Sequence, residues 1–319
     1  MRKQIEIMIV FSIFLMLIPC ISFLNKNETQ SAGYAESGTV KILFTEKDKV
    51  EEISMQDYMI GAVLAQMPAD FEEEALKCQA VLTHTYILRR QLTEQANPDK
   101  KLKGADISDD NSLYQSYFTK DQAKKFYGDD YENAYKKAAS AVKAVINKIL
   151  TYDSEPIIVA FHAISSGSTE SAENMWGEKI PYLISVDSSR DKKNDSFEKT
   201  TSFTADELLA RLQSAFPDNE FSELKENSLK VEKTSDCGSV LSIKINDQTL
   251  TGTEFANALS LPSPCFTVDY KNDTYTIKTR GCGHLVGMSQ YGANYMAKDG
   301  KTYTEILSHY FPETALKDS

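Results

Sequence analysis

Between Ile5 and Leu24 the chain is apolar almost throughout, with Glu6 the one charged residue. A run of this length matches the ~20 residues a helix needs to cross a bilayer. Arg2 and Lys3 precede it, and positive charge on a short leading tail keeps that tail in the cytoplasm. A cleaved signal peptide is the competing reading. The small-residue cleavage site expected after such a segment is missing, and the run is longer than a signal core. Pro19 directly before Cys20 also makes a poor lipoprotein site. The sequence therefore predicts a cytoplasmic tail over 1–4, an uncleaved single-pass anchor over 5–24 and a polar tether over 25–38. One folded domain over 39–315 is expected outside the cytoplasm, at the cell membrane.

The chain as a whole has the ordinary make-up of a globular protein, with 41% hydrophobic and 25% charged residues. Its net charge of -11 argues against a nucleic-acid partner, because a polyphosphate calls for a basic surface. None of the five cysteines forms a CxxC pair, so zinc-finger and thioredoxin-like folds have no support. Thr39–Phe44 reads as a strand. Ser54 and Asp57 start a helix that runs to Gln66 and stops before Pro68. A second helix is expected from Asp70, with Asp70 and Glu73 at capping-box spacing. Residues 93–130 look like an irregular excursion from the core, and Asn133 to Asn147 like an alanine-rich helix. Lys148 to Tyr152 and Pro156 to Phe161 read as a hairpin leading into a small polar loop, His162 to Thr169. A helix from Phe203 to about Phe221 has Thr204 as its cap and Glu207 in box position. Residues 229–280 alternate as short strands around a short helix near 252–260. A glycine-rich loop, Gly281 to Ala293, precedes a helix to about Ala297 and a last helix from Tyr303 to Tyr310. The pattern predicts an α+β fold, a mixed core with an irregular excursion and a second, strand-rich lobe, preceded by one transmembrane helix.

Three segments carry a family signature. The first is Asp57-Tyr58-Met59-Ile60-Gly61-Ala62-Val63-Leu64-Ala65-Gln66-Met67-Pro68, continuing through Phe71 and Glu74-Ala75-Leu76-Lys77-Cys78-Gln79-Ala80 to Thr85-Tyr86. The second is His162 to Glu170 with Trp176-Gly177 and Pro181-Tyr182-Leu183. The third is Gly283-His284-Leu285-Val286-Gly287-Met288-Ser289-Gln290-Tyr291-Gly292-Ala293. In order and spacing they resemble the stage II sporulation protein D (SpoIID/LytB) family, and the likeness spans most of residues 39–313. The resemblance implies peptidoglycan work during endospore formation, in engulfment. Its members include lytic transglycosylases that cut glycan strands stripped of stem peptides, working with an amidase and a membrane-protein partner, and others described as amidase enhancers.

A lytic transglycosylase needs one carboxyl group that stays protonated near neutral pH, donates its proton to the glycosidic oxygen and then accepts one from the sugar's own 6-hydroxyl. Keeping it protonated takes desolvation. By resemblance that acid falls on position 66, where this chain has Gln66. An amide cannot transfer the proton. Cys78, His84, Ile164, Ser166 and Leu285 also depart from the family pattern, the last two where it has glycine. Glu74 is the substitute acid to consider, beside its bland role as a first-turn helix charge. His162, Ser165, Thr169, His284, Ser289 and Gln290 are the expected substrate-binding residues, and the Gln66 turn, the start of the helix at Glu74 and the two histidine loops are expected to converge. No cofactor is expected. A zinc site from His162, His284 and Cys282 is chemically conceivable but has no supporting ligand spacing, so no metal is assigned. Cys237 and Cys265 are candidates for a disulfide outside the cell. Two functions stay open: a lytic transglycosylase, weakened or inactive, and a non-catalytic glycan-binding module that recruits or stimulates an amidase. A purely structural component of an envelope complex is a third.

Overall fold

The computed structural model describes residues 38–319. They form two compact units, one from residues 38–159 together with 293–319, the other from residues 160–292. The span expected as one domain, 39–315, draws on both. The expected tail and anchor, and the tether up to residue 37, lie outside the described residues. Among the described residues no helix is long and apolar enough to cross a membrane.

The first unit opens with an antiparallel hairpin of Thr39–Phe44 and Lys49–Ser54. Ser54 then caps the helix Met55–Gln66, its hydroxyl accepting from the Asp57 amide at 3.0 Å. This helix is buried along nearly its whole length, which is why it carries no polar face. It ends at Met67, extended at φ −125° and ψ 142° as a residue before proline must be.

The next helix does not start at Asp70. It runs Glu73–Ala96, with Glu72 at the cap position and no side-chain cap. The Phe71 amide turns back to the Pro68 carbonyl at 3.1 Å, and Asn294 Oδ1 takes the Glu72 amide at 2.8 Å. A turn and a distant side chain thus do the work assigned to Asp70.

The stretch 93–130 is less irregular than expected. Ile107–Ser108 adds a parallel strand beside Thr39–Phe44, and Lys120–Tyr127 is a helix with a Thr119/Gln122 capping box. Tyr131–Ala144 buries Ala134, Ala138 and Ala141, small residues that let it approach both earlier helices closely. Of the expected second strand only Pro156 pairs with Lys148–Tyr152, together with Glu155 from the expected turn, and the other edge pairs with Ala315–Asp318, a strand the sequence did not announce.

In the second unit Phe161–His162 lies parallel to Met288–Ser289, so the strand leading into the histidine loop pairs with the glycine-rich loop. The described residues form a mixed α+β fold with several small sheets, two of them in this unit's later part. Glu198–Thr204, Thr274–Arg280 and Phe266–Lys271 form one antiparallel sheet, and Leu229–Thr234, Val240–Ile245 and Gln248–Leu250 another. Leu208, Leu212, Ile243, Phe255, Tyr275 and Ile277 are among the residues that fill its core. The Thr204/Glu207 capping box forms as expected, but the helix covers only Ala205–Ala215, because Phe216 precedes Pro217.

Candidate functional site

The expected site residues divide between the units. Gln66 and Glu74 belong to the first, and His162, Ser165, Thr169, His284, Ser289 and Gln290 to the second.

Gln66 ends its helix inside a network of neutral polar groups. Its Oε1 accepts from Gln79 Nε2 and Gln115 Nε2, each at 3.2 Å, and its Nε2 donates to the Ser116 carbonyl at 3.0 Å. Gln115 also donates to Thr83 Oγ1 at 3.2 Å and accepts from the Tyr58 hydroxyl at 3.3 Å. Gln79 and Thr83 stand one helical turn apart and so share a face. Gln115 and Ser116 arrive from the supposed excursion. They come this close because residue 61 is glycine: a Cβ there would lie 2.3 Å from the Tyr117 ring and 2.4 Å from the Phe118 carbonyl oxygen. Burial pushes the Tyr58 hydroxyl well above its ordinary pKa and that of Tyr86 up to about 12, so both stay protonated, and the Tyr86 hydroxyl accepts the Gln115 amide at 3.3 Å. The Tyr127 hydroxyl donates to the Leu64 carbonyl at 2.8 Å, satisfying a last-turn acceptor beside Gln66.

Glu74 is half-buried and both its oxygens are engaged. Oε1 takes the Lys77 ammonium at 2.6 Å, and Oε2 takes the Tyr303 amide at 2.7 Å, at the first turn of the helix Tyr303–Tyr310. It clasps two helices of one unit together. Cys78 is buried nearby, its thiol 3.6 Å from the Tyr303 carbonyl.

In the second unit the glycine-rich loop closes on the histidine loop. A Cβ on Gly283 would sit 2.7 Å from that of His162, and one on Gly287 would sit 2.1 Å from the Ala160 carbonyl oxygen. His162 is buried, with Nδ1 3.1 Å from the Val286 carbonyl. That nitrogen must be the donor, because a carbonyl only accepts. His284 uses Nδ1 to accept the Val286 amide at 3.1 Å, and its ring also bonds to the Phe161 backbone. Burial lowers His162 to about 3 and His284 to about 4, so both rings are neutral at ordinary pH. Their centroids are 6.0 Å apart, and the Trp176 ring is 5.7 Å from that of His284.

Ser165, Thr169 and Ser289 are fully buried and bond to protein. Thr169 Oγ1 donates to the Ile184 carbonyl at 3.2 Å and accepts the Val186 amide at 2.9 Å. Ser165 and Ser289 meet at a residue that sequence reasoning passed over, Asp191. Its Oδ2 accepts the Ser165 amide at 2.8 Å, the Ser289 hydroxyl at 2.6 Å and the Ser188 hydroxyl at 3.1 Å, while burial pushes its pKa up. Ser289 also receives the Gly292 amide at 3.1 Å, and Gln290 is buried beside it. Glu170, likewise missed, is buried between the Ser235 hydroxyl and Asn174 Nδ2. Within the polar string Ser188-Ser189-Arg190-Asp191-Lys192, nothing local separates Asp191 from a solvated residue.

With its Nδ1 accepting a backbone amide and the ring bonded to Phe161, His284 is not set up as a zinc ligand. Among the described residues no group of three or more His, Cys, Asp or Glu could hold a metal ion. Cys237 and Cys265 are free thiols, and Cys237 Sγ turns to the Thr169 carbonyl and the Ser185 hydroxyl, each at 3.1 Å.

A family model described as "Stage II sporulation protein" matches residues 44–152. Stage II sporulation protein D of Bacillus subtilis (strain 168) is 37% identical over 290 residues, covering 88% of this chain and 79% of that protein. The chain belongs to the stage II sporulation protein D family. The Bacillus amyloliquefaciens member is also 37% identical, over 273 residues, covering 86% of this chain and 77% of its own. A more distant relative, named as the amidase enhancer of Bacillus subtilis (strain 168), is 26% identical over 307 residues, covering 80% of this chain but 40% of that protein. Membership of the stage II sporulation protein D family supports a sporulation-related role. The matched segment holds Gln66, Glu74, Gln79 and Gln115 and ends before His162. In the later loop, Leu285 takes φ 67° where the family pattern has glycine, the left-handed conformation glycine adopts freely. Ser166, the other glycine replacement, has no positive φ, whereas its neighbour Gly167 takes 111°.

Proposed function

We propose that this protein remodels peptidoglycan during endospore formation, gripping glycan strands stripped of stem peptides and cutting them weakly or not at all. Family resemblance supplies the substrate and the reaction type. Gln66 carries the argument about the cutting step. Where the reaction calls for a carboxylic acid, this chain holds an amide engaged on both its oxygen and its nitrogen, with no proton to transfer. Loss of general acid catalysis typically lowers a rate by ~10²–10⁴. Glu74, clasped between Lys77 and the Tyr303 amide, serves helix packing in this reading. Asp191 and the hydroxyls of Ser165, Thr169 and Ser289 hold the two loops in shape around His284, the expected sugar-binding residue that is partly exposed, with His162 and Gln290 buried behind it.

The relative named as an amidase enhancer favours a companion role, stimulation of the amidase that strips the strands. We further propose that residues 5–24 anchor the protein in the cell membrane with the rest outside the cytoplasm, beside its glycan and its amidase and membrane-protein partners.

The test is to incubate the purified protein with amidase-stripped peptidoglycan, following anhydro-sugar products by mass spectrometry and strand binding by sedimentation. Binding with little or no anhydro-sugar is expected. Rapid release of anhydro-sugars would overturn the weakened-enzyme reading, and absence of binding would remove glycan as the substrate.

A further inference from the structure

Trp176 is the only tryptophan of the chain, and neither the packing of the core nor the proposed chemistry uses it. It ends the short helix Ala172–Trp176, and Gly177 then turns the chain away in the left-handed conformation, at φ 75°. The ring is half-buried, not sunk in a core. It lies 5.7 Å from the ring of His284, inclined by 58°. His284 is half-buried too, and its two backbone partners, Val286 and Phe161, fix its orientation. The two rings are thus an adjacent, partly exposed aromatic pair. A surface of this kind suits a ligand with an apolar face and a polar rim.

The charge around it narrows the ligand further. His284, the ring beside Trp176, accepts the Val286 amide on Nδ1, so that nitrogen carries no proton and the ring offers no cation to an acid. Glu173 and Glu178 flank Trp176 and are exposed, with Lys179 the one exposed cation close by in sequence. Asn174, whose amide nitrogen reaches the buried Glu170 at 3.2 Å, is exposed on the same short helix. Within residues 173–179 two carboxylates stand against one cation, and carboxylates repel carboxylates. A stripped glycan strand alternates two sugars, one neutral and one bearing a lactyl carboxylate.

We propose that Trp176 and His284 form a stacking ledge for the neutral N-acetylglucosamine unit of the strand, in preference to N-acetylmuramic acid. The apolar C–H face of the sugar covers the indole, and its hydroxyl and amide donors meet the flanking carboxylates. The inference rests on the glycan-binding function proposed above and deepens it.

Because Trp176 is the only tryptophan, its emission reports on this ledge. The full chain is titrated with a β-1,4-linked N-acetylglucosamine oligomer and, separately, with N-acetylmuramic acid. The expected result is a saturable shift of emission to shorter wavelength with the oligomer, and a requirement for at least about tenfold more of the acidic sugar. By calorimetry Trp176→Ala should weaken oligomer binding about tenfold, the scale of losing one aromatic stack, and Trp176→Phe should recover most of it. Equal responses to the two sugars would overturn the selectivity. Sedimentation of stripped strands separates this inference from the function beneath it. Strands that sediment with the protein while emission stays unmoved overturn the ledge and leave glycan binding standing. Strands that do not sediment remove both.

Discussion

The amide of Gln66 shows what its surroundings select. Two N–H groups, from Gln79 and Gln115, converge on one end of the side chain, and a carbonyl, from Ser116, faces the other. A carboxylate in that place would put an oxygen against the Ser116 oxygen, acceptor against acceptor. A protonated carboxyl would reproduce the present pattern, its C=O taking the two amides and its O–H donating to Ser116. Burial adds to the preference, since desolvation disfavours the charged form. The surroundings are thus those of a neutral acid, and glutamine imitates its shape without its proton. Gln66→Glu is therefore expected to fold and to carry a protonated carboxyl near neutral pH. Its cleavage of stripped glycan should exceed wild type by something approaching ~10²–10⁴, measured as anhydro-sugar release. A folded Gln66→Glu that binds strands and still does not cut them would assign the defect to the other departures, Ile164, Ser166 and Leu285. Loss of a wild-type activity in Glu74→Gln would instead place the acid at Glu74. Position 66 was singled out in the sequence by resemblance to the family pattern before Met67-Pro68. The partners Gln115 and Ser116 were not, because they lie far along the chain in a polar stretch with no periodicity to mark them.

At the scale of elements, the helix Met55–Gln66 depends on what crosses it at Gly61. The Phe118 amide donates to the Gly61 carbonyl at 3.2 Å, and the Tyr117 ring stacks on Tyr58 with centroids 5.6 Å apart. Gly61→Ala would set a methyl against backbone as well as ring, and backbone yields less readily than a side-chain tip. Overpacking of this kind typically destabilises by about 1–3 kcal/mol. The expected outcome is a lower denaturation midpoint with an unchanged slope, together with faster amide exchange over residues 115–118. A midpoint equal to wild type would mean that the segment is not held against the helix. Local signals served well wherever the cause of an element was local. Ser54, Thr204 with Glu207, and the helix Tyr303–Tyr310 were readable from capping residues and apolar spacing. They failed where a distant group decides, as where Asn294 takes the Glu72 amide, or where Ile107–Ser108 and Ala315–Asp318 become strands only by pairing with Thr39–Phe44 and Lys148–Tyr152. Asp191 escaped for the same reason, its three serine partners being scattered over 165–289.

For the whole molecule, the two units carry different parts of the family signature. The Gln66 turn stands in one, and the histidine and glycine-rich loops stand in the other. The strand-rich lobe within the second unit was foreseen from alternating Val, Ile, Thr and Tyr residues, whereas division into two units was not, since the first unit closes with residues 293–319 from the far end of the chain. What the molecule can reach depends on which side of the membrane these units occupy. Glycan lies only outside the cytoplasm, so a glycan-handling protein needs residues 25–319 there. The anchor proposed over residues 5–24, with Arg2 and Lys3 before it, would have that orientation. Protease added to intact protoplasts is therefore expected to degrade the two units while a cytoplasmic marker survives, and lysis should change nothing further. The chain is rich in Lys and Arg, 35 in all, so a trypsin-like protease has ample sites once a unit opens locally. Full protection in intact protoplasts, with digestion only after lysis, would put the units inside. That result would separate them from glycan and take the substrate out of reach, whatever Gln66 or Trp176 can do in a purified sample.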